Sequence, residues 1–109
     1  MTITELIEKL GAATRARTDL DQEIDKAIRP GVDPMPYRYY THSIDHAVLV
    51  VPAGYDWCLF SDGVAGCMEI AEDGCSFADS HGATPAIALC IAALKAHATM
   101  QAAAAEMEA

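Results

Sequence analysis

Four cysteines, four histidines and a group of carboxylates carry most of the reactive chemistry in this chain. Cys58, Cys67, Cys75 and Cys90 are spaced by 9, 8 and 15 positions, so no C-x-x-C pair exists to make a zinc knuckle or a thioredoxin-type motif. Tyr55 to Ser61 and Val64 to Ile70 flank Asp62-Gly63, a dipeptide suited to a two-residue type I′ hairpin turn. That turn predicts Cys58 opposite Cys67 in a close, non-hydrogen-bonded pair, where a disulfide is sterically conceivable. In a reducing compartment, two free thiols are the default. The same register sets Asp56 opposite Glu69, and two thiols with two carboxylates make a minor candidate for holding a cation. A slip of one residue dissolves the whole arrangement.

The histidines carry less. His42 and His46 are four apart, but Ser43 as a helix N-cap leaves His42 outside the helix, so no two-histidine metal site is predicted. His81 is near Cys75 in sequence, but no signature marks an orienting group or an oxyanion hole for cysteine catalysis. His97 reads as a boundary residue on a helix. Gly-rich phosphate loops and G-x-S-x-G are absent from the sequence. Tyr37, Tyr39 and Tyr40 surround Arg38, a grouping able to stack a base or cover a ligand. Its structural alternative is rings buried against the core with their hydroxyls in water.

The elements that would position these groups are legible from caps and periodicity. Thr2 and Glu5 form a capping box ahead of Ile3, Leu6, Ile7 and Leu10, predicting a helix from Ile3 to about Ala12. Thr18 and Asp21 repeat the signal, and Leu20, Ile24, Ala27 and Ile28 share one face of a helix from Asp19 to about Arg29. Asp19, Asp21, Glu23 and Asp25 are read there as a dipole-favoured, solvated acidic face. Pro30-Gly31 stops that helix. Residues 43–51 stay open between a helix start and a strand. A third strand is expected near Cys75 to Ala78, after Asp73-Gly74. Thr84 as N-cap and Pro85 at the first helical position open the last helix, which runs to about Ala105. Ile87, Ile91, Leu94 and Ala98 form its stripe, which is expected to lie as a lid over a core face carrying Trp57.

The 109 residues suit one small domain, and no apolar run reaches the roughly 18 residues of a membrane span. The N-terminus lacks a basic-then-apolar pattern, so a place in the host cytoplasm is expected. Net charge is −9, and from Tyr39 to Leu94 there is no Lys or Arg. Asp45, Asp56, Asp62, Glu69, Glu72, Asp73 and Asp79 fall in that stretch. Such a surface repels phosphate backbones, which argues against direct nucleic-acid binding. It suits docking on a basic protein surface, although solubility alone also accounts for it.

Three blocks then resemble a family of small proteins of phages and prophages, mainly of alphaproteobacteria, with an alpha-beta-alpha sandwich domain. They are residues 6–14 with Leu20-Asp21 and Ile24; Ser43-Ile44-Asp45-His46-Ala47 with Leu49, Val51-Pro52, Gly54 and Trp57; and Gly82 to Cys90. The resemblance implies a phage origin, tilts residues 44–50 toward a short helix, and supplies no catalytic residue. The expected fold is α+β: a three-layer alpha-beta-alpha sandwich with a small three-stranded antiparallel sheet, a long C-terminal helix and two N-terminal helices. The expected function is a non-enzymatic binding protein that antagonises a host defence system, as an acidic inhibitor like an anti-CRISPR protein or as a sponge for a signalling nucleotide. Asp56, Glu69, Glu72 and Asp73, with Tyr37, Arg38, Tyr39 and Tyr40, are its candidate binding residues; no cofactor or metal is expected. The alternatives are an oligomeric accessory phage protein, assembled through the C-terminal helix, and a cysteine-dependent enzyme.

Overall fold

The computed structural model describes residues 2–29, 31, 39–52, 55–59, 64–69 and 77–108. Helix α1 spans Ile3–Ala12, with Thr2 Oγ1 accepting the Glu5 N–H at 3.1 Å. Helix α2 spans Thr18–Ile28. Its N-cap is Arg17, with no side-chain cap bond, so the expected Thr18–Asp21 box does not form. Gly31 follows with φ of 82°, a left-handed conformation that suits glycine. Helix α3 is one turn, Ile44–Ala47, continued by a 3₁₀ turn at Val48–Val50. The segment left open by sequence is therefore helical.

Helix α4 runs from Pro85 to Glu108. At about 1.5 Å per residue its 24 residues make a rod about 36 Å long. Thr84 Oγ1 accepts the Ile87 N–H at 3.2 Å, and Pro85 takes the first helical position. Every residue from Ala86 to Leu94 is buried. A helix apolar all round must be covered on all sides. Leu6 and Leu10 of α1, Leu20 and Ile24 of α2, and Ala47 and Val50 join it in one core.

The expected alpha-beta-alpha sandwich does not form. The described chain is mostly helical, and the main core cluster of its buried residues is entirely helix and turn. α1 joins α2 to α4, so the N-terminal helices build on α4 and do not form an outer layer on a sheet. The segments Tyr55–Leu59 (β1), Val64–Glu69 (β2) and Phe77–His81 (β3) pair antiparallel and lean on α4 from the other side. The physical reason is the alanine content of α4. A one-striped helix would be a lid, whereas this one admits neighbours all round and becomes the middle layer. Tyr55, on the same strand face as Trp57, reaches Ala92 and Ala96 of α4, whereas Trp57 itself, on the edge strand, is 37% exposed.

The strand register also differs from expectation. Asp56 pairs with Met68, Trp57 with Cys67 and Cys58 with Gly66. Pairing in this register leaves an odd number of connecting residues, which a two-residue turn cannot supply. The Cys58–Cys67 opposition therefore disappears, and with it the disulfide and cation readings. Asp62-Gly63 itself lies outside the described residues. Among the described residues, no helix is long and apolar enough to cross a membrane.

Gly82 approaches α4 closely. A Cβ there would stand 2.7 Å from the Ala88 backbone nitrogen and 2.9 Å from Ile87 Cγ2. Gly82→Ala should cost about 1–3 kcal/mol in urea unfolding, because a backbone atom cannot step aside.

Candidate functional site: a buried carboxylate pair and its cleft

In α2, Leu20, Asp21, Ile24 and Asp25 follow the spacing of a single inward stripe. Asp21 and Asp25 are 2% and 1% exposed, so two of the four acids of the expected solvated face are core residues. A buried carboxylate is tolerable only when its oxygens find donors. Those donors come from a segment some twenty positions away.

The carbonyl of Tyr39 accepts the N–H groups of His42 and Ser43, both at 3.0 Å, which folds residues 39–43 into a tight turn. That turn sends Tyr40 and Thr41 inward. The Tyr40 hydroxyl donates to Asp25 Oδ1 at 2.6 Å. Thr41 donates to Asp21 Oδ1 twice, from its N–H at 2.7 Å and its hydroxyl at 2.6 Å. The Arg17 N–H donates to the same hydroxyl oxygen at 3.0 Å. The Cys90 thiol donates to the Tyr40 carbonyl at 3.2 Å, which ties the turn to α4. Arg29 Nη1 approaches Asp25 Oδ2 at 3.5 Å.

Asp21 Oδ2 is the exception. It is buried and accepts no hydrogen bond. His42 Nε2 stands 3.3 Å away, an ion-pair distance without the alignment of a hydrogen bond. The His42 side chain is 41% exposed and forms one wall of an open cleft of about 370 Å³. Thr41, Ser43 and Asp45 continue that side, and Thr84 and Pro85 at the start of α4 form the other.

Tyr39 links the two histidines of this segment. Its N–H donates to His46 Nδ1 at 2.8 Å, so the neutral ring carries its proton on Nε2. The Tyr39 and His46 rings stack at 5.8 Å, and His42 meets Tyr39 edge-on at 5.7 Å. Among the described residues, no three His, Cys, Asp or Glu side chains converge to hold a metal. A second hollow of about 410 Å³, between α1 and α2, is lined by both charge signs, including Lys9, Arg17, Asp19 and Glu23. There the Arg17 guanidinium is committed to Asp19 at 2.6 and 3.0 Å, which holds that exposed carboxyl below its usual range.

The predicted site residues separate. Tyr39 is 40% exposed and meets the His42 ring, but it does not line the cleft. Tyr40 is completely buried, hydroxyl included, so it neither covers a ligand nor keeps its oxygen in water. Asp56 sits on β1 and Glu69 on β2, but Glu69 pairs with Tyr55, so the two acids are not opposed. Tyr37, Arg38, Glu72 and Asp73 lie outside the described residues. Cys90 is buried as expected; His97, half-buried, donates from Nε2 to the Val50 carbonyl at 2.7 Å and pins the 3₁₀ turn to α4.

The sequence reading missed Asp21, Asp25 and Thr41. The available signal was the spacing of the two aspartates, which alternate with Leu20 and Ile24 on the buried stripe. Comparisons with protein-family models, curated proteins and solved structures find no match.

Thr41→Val should destabilise the fold by about 1–3 kcal/mol, because it strips a donor from Asp21 and an acceptor from Arg17. Glu8→Ala, on the exposed face of α1, should stay within about 0.5 kcal/mol in the same urea experiment. The Cys90 thiol is pushed far up, first by burial and second by the Asp21 carboxylate. The folded protein therefore keeps a proton that the unfolded chain releases above about pH 8.5. Stability should be intact below that pH and fall above it, by up to about 1.4 kcal/mol per pH unit. Urea midpoints at pH 7, 9 and 10 should show a steeper decline than in Cys90→Ala.

Proposed function

We propose that this chain is a non-enzymatic binding protein of phage origin that acts in the host cytoplasm. It antagonises a host defence system by docking its acidic surface on a basic protein partner. The observation that carries this reading is the charge layout. No Lys or Arg occurs from Tyr39 to Leu94, in a chain of net charge −9. The N-terminal cations offer little relief: Arg17, Lys26 and Arg29 are each in an ion pair with an aspartate or glutamate close by in sequence. An uncompensated field of one sign speeds encounter with an opposite surface and rejects nucleic acid. The phage origin rests on the resemblance of the three sequence blocks described above. Capture of a signalling nucleotide is less well supported, because Arg17 is already occupied by Asp19.

The test is a phage-rescue assay in hosts carrying a defence system, with binding to the defence effector measured against salt. Rescue should be lost when Asp56, Glu69 and Glu72 are all changed to Lys, and wild-type binding should weaken steeply with salt. Rescue that survives the triple reversal would sink the acidic-docking reading.

A further inference from the structure

We infer that the bond from the Tyr39 N–H to the His46 ring is an acid-released latch between the 39–43 turn and α3. The N–H donates to Nδ1 at 2.8 Å, so that nitrogen must keep its lone pair. A protonated imidazole carries hydrogen on both nitrogens and accepts at neither. Turning the ring over restores no acceptor. One proton gained at His46 therefore sets two donors face to face, and the bond opens. Histidine is the side chain whose ordinary charge change falls between about pH 5 and 8. The Tyr39 and His46 rings, stacked at 5.8 Å, stay together, because a cation is also drawn to an aromatic face. What comes free is the Tyr39 backbone.

The surroundings confine the change to this contact. The other ties of the turn do not involve His46. Thr41 and Tyr40 donate to Asp21 and Asp25 of α2, and the Cys90 thiol of α4 donates to the Tyr40 carbonyl. His42 also meets the Tyr39 ring, and its Nε2 stands 3.3 Å from Asp21 Oδ2. A proton on His42 adds attraction to that carboxylate and holds the turn on α2. On α3 itself, Asp45 precedes His46 and is exposed. α3 packs on α4 and on the 3₁₀ turn, and neither brings a charged residue ahead of Lys95. His97, further along α4, is bound to the Val50 carbonyl. In acid the turn thus keeps its place on α2 and α4 and loses its hold on α3.

The test is NMR of the full chain, isotopically labelled on nitrogen, at about pH 8 and pH 5, on either side of the histidine range. The nitrogen–nitrogen coupling across the Tyr39–His46 bond is expected in the first condition and should vanish in the second. Protection of the Tyr39 amide against exchange with water, corrected for the intrinsic effect of pH, should fall about tenfold in acid. Protection of the Thr41 amide, bound to Asp21, should hold. His46→Ala should leave the Tyr39 amide equally unprotected in both conditions, whereas His42→Ala should keep the wild-type difference. A coupling that persists in acid, or one that is missing at the higher pH, overturns the inference, and neither result depends on a variant. Equal loss of protection at Thr41 and Tyr39 also overturns it, because the turn is then opening as a whole.

Discussion

Two carboxylates inside a helical core set the terms for the rest of this molecule. Asp21 and Asp25 leave water on folding, and an unpaired buried carboxylate is among the costliest groups a small domain can hold. Their donors, Thr41 and Tyr40, are consecutive in a segment far along the chain. The 39–43 turn must therefore dock on α2, and its backbone must meet Cys90 of α4. One polar junction thus ties α2, the turn and α4 together. Hydrophobic burial supplies most of the driving force, but it is tolerant of small rotations. The carboxylate bonds are directional and fix how the helices are rotated about their axes.

α4 is the second constraint. Its run from Ala86 to Leu94 has no polar face to turn to solvent, so the chain wraps it: α1 and α3 on some sides, the strands on another. Small alanine side chains let these neighbours come close, as the Gly82 approach illustrates. The site inherits its shape from this arrangement. The α4 start is fixed by Thr84 and Pro85, the opposite wall by the turn that Asp21 anchors, and the cleft is what remains between them.

Charge is distributed unevenly along this chain. Arg17, Lys26 and Arg29 pair with carboxylates close by, and the stretch from Tyr39 to Leu94 carries no Lys or Arg. Asp21 and Asp25 carry the same sign of charge into the core. Surface charge gives range and speed of encounter, while the buried carboxylates fix internal geometry through directional bonds.

The sequence by itself determined the local events. The Thr2 cap, the Thr84-Pro85 start and the apolar stripes of the first two helices depend on residues within a turn or two of each other. Net charge and the long stretch without cations were equally plain, because composition needs no fold. What only the tertiary structure decided depends on distant partners. Asp21 and Asp25 look the same in sequence whether solvated or buried; Thr41 and Tyr40, over a dozen residues away, settle which. The strand register turned on a loop length that the Asp62-Gly63 signal misstated by one position, and that slip separated Cys58 from Cys67. Whether the alanine-rich helix is a lid or a centrepiece depends on how many neighbours surround it, and no local pattern records that number.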